Sequence, residues 1–106
     1  MANGILGRNE LAATTNTTVY TVPADTFSVV TINVANRGAS PRTVRLALSD
    51  AATPANADYI EYDVEILANG VLERTGIVMD AGKNIVAYAD SLGCSVQVYG
   101  LETATS

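Results

Sequence analysis

The residues best placed for chemistry are four carboxylates that lie close together in the sequence, at Asp58, Glu61, Asp63 and Glu65. In an extended segment the last three share one strand face, with neighbouring side chains roughly 7 Å apart. That separation suits the paired acids of a glycosidase or the ligands of a hard cation. A catalytic pair, however, normally converges from different strands, and the calcium-loop pattern is absent. We therefore expect a solvated acidic strand face that is neither catalytic nor metal-binding.

Nucleophilic and metal chemistry have little support in the composition. The chain has no His and one Cys, so it lacks the usual general base and the commonest metal ligands. Cys94 alternates with Val96 and Val98, a pattern that predicts a small buried hydrophobic residue. Gly4 and Gly7 do not stand between a strand and a helix, as a phosphate-binding loop requires. We expect no enzyme activity, no metal and no cofactor.

Charge and hydropathy limit the classes of partner. Six Lys and Arg against eleven Asp and Glu give a net charge of −5, which disfavours nucleic acid. No apolar run approaches the about 18 residues of a membrane span, and no secretion signal is visible, so we expect folding in a cytoplasm. Charged residues make up only 16% of the chain, below the roughly 25% of soluble domains. Such a neutral surface fits a protein partly covered by neighbours, or a free monomer with a small-residue surface.

From residue 17 onward, apolar and polar residues alternate with period two, which predicts β-strands. Asn69 and Gly70 predict a tight hairpin turn, because both tolerate positive φ. The seven predicted strands span residues 17–22, 27–36, 43–49, 58–66, 71–79, 84–89 and 94–101. Their roughly ten-residue spacing predicts an all-β protein, an antiparallel β-sandwich with either an immunoglobulin-like or a jelly-roll strand order.

The chain of 106 residues has room for one domain. We expect an N-terminal arm at residues 1–16, the β-sandwich at 17–101 and a polar C-terminal tail at 102–106. The arm carries scattered apolar residues between glycines and polar residues. It either frays or orders against a neighbouring subunit. The sandwich is also expected to leave two sheet edges open, which symmetric packing could cover.

The aromatic residues are tyrosines and one Phe, with no Trp. Tyr62 and Tyr88 share strand faces with apolar neighbours, so we expect them in the core with their hydroxyls at its rim. Tyr59 and Tyr99 fall on the opposite faces, where a partner can reach them. The lack of Trp favours a protein interface over sugar stacking. The candidate interface residues are Ile5, Leu6, Arg8, Leu11, Tyr59 and Tyr99.

Several stretches resemble small virion structural proteins of tailed bacteriophages. The matching stretches are TVYTVPA at 18–24, VVTINVANRG at 29–38, VRLAL at 44–48, YIEYD at 59–63 and NIVAYA at 84–89. Their order and spacing match over most of the chain. These are strand and turn residues, and the resemblance carries over no catalytic residue.

The resemblance implies a structural protein on the exterior of the virion, assembled in the cytoplasm of a bacterial host. Its role there would be capsid decoration or cement, or a subunit attached to the neck, tail or fibre. Its partners would be other virion proteins and further copies of itself, with no direct nucleic acid and no membrane. The alternative is a host-receptor or carbohydrate-binding module of the tail.

Overall fold

Eight β-strands account for most of the fold. The computed structural model describes residues 3–105. The strands are β1 Asn3–Glu10, β2 Thr17–Thr21, β3 Thr26–Asn36, β4 Arg42–Ser49, β5 Tyr59–Ile66, β6 Val71–Met79, β7 Asn84–Ala89 and β8 Cys94–Ala104. Within that range the helical content is a 3₁₀ turn at Asn56–Asp58, and no helix there has the length and hydropathy to cross a membrane. The all-β prediction is confirmed.

The strands form two four-stranded antiparallel sheets that pack against each other. The first sheet has the order β1-β8-β3-β6 and the second sheet has the order β2-β7-β4-β5. Along the chain β1 pairs with β8, β2 with β7, β3 with β6 and β4 with β5. This nested pairing is the jelly-roll strand order. The structure thus confirms the sandwich and decides between the two strand orders that the sequence left open.

Side chains from both sheets meet in one apolar core. Val30 and Ile32 of β3 belong to the same buried cluster as Val44 and Leu46 of β4. Their two-residue spacing is the alternation that the sequence shows. Cys94 lies in this cluster as well, and burial raises the pKa of its thiol. A neutral, enclosed thiol behaves as a small hydrophobic side chain, as predicted.

Both ends of the chain differ from the prediction of a separate N-terminal arm and a polar C-terminal tail, because each contributes a strand to the sandwich of its own chain. Asn3–Glu10 is an edge strand of the first sheet, antiparallel to β8, and Leu11 just beyond it is buried in the core. The last strand continues to Ala104, paired with β3. Backbone hydrogen bonds to neighbouring strands hold these two segments in place. Because such bonds do not depend on apolar side chains, neither segment shows a clear apolar–polar alternation in the sequence. Met1, Ala2 and Ser106 of the predicted arm and tail lie outside the described residues.

Each of the four edge strands carries a β-bulge. The bulged positions are Leu6 in β1, Val19 in β2, Ile60 and the pair Tyr62 and Asp63 in β5, and the pair Thr75 and Gly76 in β6. The central pairs β3–β8 and β4–β7 keep a continuous register over their described lengths. A bulge bends and twists an edge, which discourages pairing with a strand of another chain. The edges are therefore poorly suited to partners, and the outer faces of the two sheets are the regular surfaces that remain.

A hydrogen bond between the sheets joins Tyr20 of β2 to Glu102 of β8. Tyr20 Oη donates to Glu102 Oε2 at 2.5 Å, and the ring of Tyr20 is buried in the core. Burial, together with the hydrogen bond and negative charge of Glu102, raises the pKa of Tyr20 to about 12. The folded protein therefore holds this proton more tightly than the unfolded chain does.

Raising the pH from 10 to 12 should destabilise the protein through Tyr20. The stabilisation is complete below the ordinary tyrosine pKa of 10 and is lost as the pH rises through the folded-state value. A two-unit difference corresponds to at most about 3 kcal/mol. Urea unfolding midpoints at several pH values should fall more steeply for the wild type than for Tyr20→Phe. Tyr62→Phe, which removes an exposed hydroxyl, should follow the wild type. Parallel curves for wild type and Tyr20→Phe would contradict this prediction.

Candidate interaction surfaces

Two of the four carboxylates in and beside β5, Asp58 and Glu61, are occupied by contacts within the chain. Glu61 Oε2 accepts a hydrogen bond from Arg74 Nη1 at 2.5 Å, between the edge strands of the two sheets. The carboxylate of Asp58 accepts the backbone N–H of Ala55 at 2.8 Å in the 3₁₀ turn. Among residues 3–105, no group of three or more His, Cys, Asp or Glu side chains is arranged to hold a metal ion. These carboxylates therefore serve the local structure.

The outer face of the second sheet carries aromatic rings around one guanidinium group. The Cζ atom of Arg45 lies 4.3 Å from the ring centroid of Tyr62 and 4.5 Å from that of Tyr88. Its Nε donates to Asp63 Oδ1 at 2.6 Å, which raises the pKa of Arg45. The ring of Tyr59 meets that of Tyr62 edge-on, with centroids 4.9 Å apart. We call these five residues the Arg45 cluster.

The bulge at Tyr62 and Asp63 in β5 creates this cluster. Tyr62 and Asp63 together lie opposite Arg45 in the register, and Asp63 has a φ of 53°. The extra residue reverses the alternation, so that Tyr62 points outward and is 56% exposed. Tyr88 pairs directly with Arg45 and also faces outward. The prediction that Tyr62 and Tyr88 lie in the core is therefore wrong, because it assumed unbroken alternation in β5 and because β7 is apolar on both faces.

The outer face of the first sheet has an apolar half. Val78, Val29 and Leu101 lie side by side on β6, β3 and β8, and Ile5 of β1 lies diagonal to Leu101. Their exposures are 68%, 40%, 58% and 59%, respectively. We call these four residues the apolar face. At these exposures they present on the order of 300 to 400 Å² of apolar surface, a size at which patches on soluble monomers are often functional.

The other half of the same outer face is mainly polar, apart from Val71 at the start of β6, and is balanced in charge. Arg8 and Glu10 lie on β1, and Arg37 beyond the end of β3 pairs with Glu10. Tyr99 of β8 donates across β3 to Glu73 Oε2 at 3.1 Å, a hydrogen bond that raises the pKa of Tyr99. The charges of these two arginines and two glutamates cancel, whereas the whole chain has a net charge of −5. A shallow depression of about 310 Å³ in this half is lined by Arg8, Asn9, Glu10, Ser95, Val96 and Gln97.

Four of the six residues predicted for an interface reach these outer faces. Ile5 belongs to the apolar face, and Tyr99 and Arg8 lie on the polar half beside it. Tyr59 belongs to the Arg45 cluster on the opposite side of the sandwich. The structure thus divides the predicted set between two surfaces that point in opposite directions.

The other two predicted residues do not reach an outer face, and three residues of the apolar face were not in the predicted set. Leu6 packs against the core and Leu11 is buried within it, so their side chains are occupied by their own chain. Val29, Val78 and Leu101 could be recognised from the sequence as outward-facing. That they form one row depends on the register of strands far apart in the chain.

Interface-type side chains therefore lie on both outer faces of the sandwich. Tyr and Arg are enriched in protein interfaces, and contiguous exposed aliphatic patches mark contact sites. The two faces point away from each other, because the sheets pack through their inner faces. In comparisons with protein-family models, with curated proteins and with solved structures, the chain gives no significant match.

Proposed function

We propose that this chain is a structural subunit on the exterior of a tailed-bacteriophage virion. It acts by packing against neighbouring virion proteins, as a capsid decoration or cement protein or as a subunit of the neck, tail or fibre. The observation that carries the proposal is the presence of interface-type side chains on both outer faces of the sandwich. A subunit with contact surfaces on opposite sides can hold two neighbours together. The resemblance of its strand and turn stretches to small virion proteins of tailed bacteriophages supports a location on the virion.

The distribution of charge supports a place outside the packaged nucleic acid. Four basic side chains are paired with carboxylates of the same chain, namely Arg37 with Glu10, Arg45 with Asp63, Arg74 with Glu61 and Lys83 with Asp50. The net charge is −5. A surface of this kind offers few free cations to phosphates and repels a polyanion. Contacts with protein neighbours are the interactions that it favours.

The protein content of purified particles tests this proposal. Particles of the phage that encodes the chain, purified on a density gradient, should contain it in a fixed ratio to the major capsid protein by quantitative mass spectrometry. Particles assembled without it should rebind the purified wild-type chain. Tyr62→Ser should rebind about tenfold more weakly, because it removes an exposed ring of the Arg45 cluster. Leu67→Ser, which removes a comparably exposed side chain in the β5–β6 turn, should rebind normally. Absence of the chain from purified particles would refute the proposal.

Deletion of the N-terminal segment would not test docking cleanly. Asn3–Glu10 pairs along β8, so its removal would expose β8 as a new edge. The bulge that protects the present edge would be lost with it. Substitutions of outward side chains leave the strand pairing in place, and for that reason they are the better probes.

The Arg45 cluster also favours a second candidate function, a host-receptor or carbohydrate-binding module of the tail. Tyr62 exposes ring surface close to the carboxylate of Asp63. A ring beside a polar group can stack on a sugar and orient its hydroxyls. Binding of the purified chain to host cells or to their surface polysaccharide, lost in Tyr62→Ser while particle incorporation persists, would favour this function over the structural one.

A further inference from the structure

We propose that the apolar face joins two copies of this chain, which pair face to face through their first sheets. The inference goes beyond the proposed function, because it concerns the isolated chain. It holds or fails independently of whether the chain enters a particle. The Arg45 cluster on the opposite side would remain free for a different neighbour.

The bulges favour contact through a face over contact through an edge. β1 and β6, the two edges of the first sheet, are each interrupted by extra residues. Thr75 and Gly76 oppose the single residue Thr31, and Gly76 has a φ of 68°. A strand from another molecule could not follow these edges without breaking its register. The outer face between them has the regular β3–β8 pair at its centre.

The charge distribution favours a second copy as the partner. Two chains of net charge −5 repel each other unless they meet where the local charge is balanced. The outer face of the first sheet meets that condition, because Arg8 and Arg37 offset Glu10 and Glu73. The second sheet meets it less well, because Arg45 offsets Asp63 while the exposed carboxylate of Glu65 forms no ion pair among the described residues. Self-association of this acidic chain is therefore electrostatically easiest through the first sheet.

The size of the apolar face also fits a pair of copies. A standard interface buries about 800 Å² per partner, of which roughly 60% is apolar. The apolar face supplies most of the apolar part of such an interface, and Phe27 and Tyr99 lie at its margin. A patch that meets its own copy forms a closed two-fold contact and exposes no further binding surface of the same kind. Pairing would therefore stop at the dimer.

The register identifies the centre of this contact. Val29 lies between Val78 and Leu101 in the same row. A two-fold axis that passes over the middle of the row brings Val29 of one copy against Val29 of the other. One substitution at this position therefore changes both sides of the contact at the same point.

Sedimentation velocity over a concentration series tests the proposal. The wild type should be a dimer that dissociates on dilution. Val29→Glu should weaken the dimer about 100-fold, because two like charges would face each other. Val29→Lys should do the same, and an equimolar mixture of the two variants should associate again. Leu92→Glu, the same kind of change at a comparably exposed leucine in the β7–β8 turn, should leave the dimer unchanged.

Several results would overturn the proposal. The first is a wild type that is monomeric throughout the concentration series. The second is a Leu92→Glu variant that dimerises as weakly as Val29→Glu. The third is an equimolar mixture of Val29→Glu and Val29→Lys that stays monomeric. Circular dichroism establishes that each variant is folded. If Val29→Glu does not fold, Val78→Glu on the edge strand replaces it and should also weaken the dimer.

Discussion

Asn36→Asp should lower the free energy of unfolding by about 3 to 5 kcal/mol, the usual result of leaving a buried charge without a partner. Asn36 is 1% exposed, and its Nδ2 donates to the carbonyl oxygens of Ser40 at 2.9 Å, Ile66 at 3.0 Å and Leu67 at 3.3 Å. Its Oδ1 accepts the N–H of Gly38 at 2.9 Å. An aspartate at this position would point a carboxylate at carbonyl oxygens instead of donating to them.

The effect should be large because Asn36 joins three segments at one end of the sandwich. Its side chain connects the β3–β4 turn to the end of β5, and its backbone N–H donates to Gly70 in the β5–β6 turn. Urea denaturation at neutral pH measures the loss. Asn33→Asp, the same chemical change on the outer side of β3, should stay within about 1 kcal/mol of the wild type. The prediction fails if the two variants are equally stable.

Acidification gives a second measurement on the same variant. A buried carboxyl is easier to protonate than to ionise, so its pKa is raised. Once protonated, it can donate one hydrogen bond to a carbonyl oxygen. The difference in free energy of unfolding between the wild type and Asn36→Asp should therefore shrink as the pH falls. A difference that is independent of pH would point to a packing defect instead.

Gly100→Ala should cost about 3 kcal/mol or more, at the upper end of what overpacking causes. Gly100 lies opposite Val30 in the central β3–β8 pair and has a φ of 158°. A β-carbon on Gly100 would lie 2.1 Å from the carbonyl oxygen of Val29 and 2.9 Å from the Cα of Val30. Both are backbone atoms of a paired central strand, so neither can move without disturbing the sheet.

Thermal unfolding separates this contact from the general effect of replacing a glycine. Gly82→Ala is the matched control, because a β-carbon there meets nothing within 4 Å and only the φ of 83° resists it. That strain costs about 1 to 2 kcal/mol. A loss of 3 kcal/mol corresponds to a Tm decrease of at least about 12 °C in a domain of this size. The Tm of Gly100→Ala should therefore lie well below that of Gly82→Ala. Equal Tm values would show that β3 and β8 separate more easily than their register suggests.

The strands themselves follow from the sequence, because alternation is a local property. Each predicted strand from residue 17 onward begins within one residue of the observed one, since a period of two places one row of apolar side chains on one face wherever the chain is extended. The buried thiol of Cys94 could be predicted for the same reason, from its place in an apolar row. The tight hairpin predicted at Asn69 and Gly70 is wrong: Asn69 has a φ of 60°, but the turn joins β5 of the second sheet to β6 of the first, and these two strands do not pair with each other.

The interaction surfaces were decided only by the tertiary structure. Pairing with β8 made the segment Asn3–Glu10 a strand, and a bulge moved Tyr62 from the predicted core to the Arg45 cluster. The row of Val29, Val78 and Leu101 exists because β3, β6 and β8 are aligned in one register. Register, bulges and strand order depend on contacts between residues distant along the chain. The sequence by itself therefore determined which segments are strands and which side chains face inward in regular pairs, while only the folded sheets determined which outward side chains lie together.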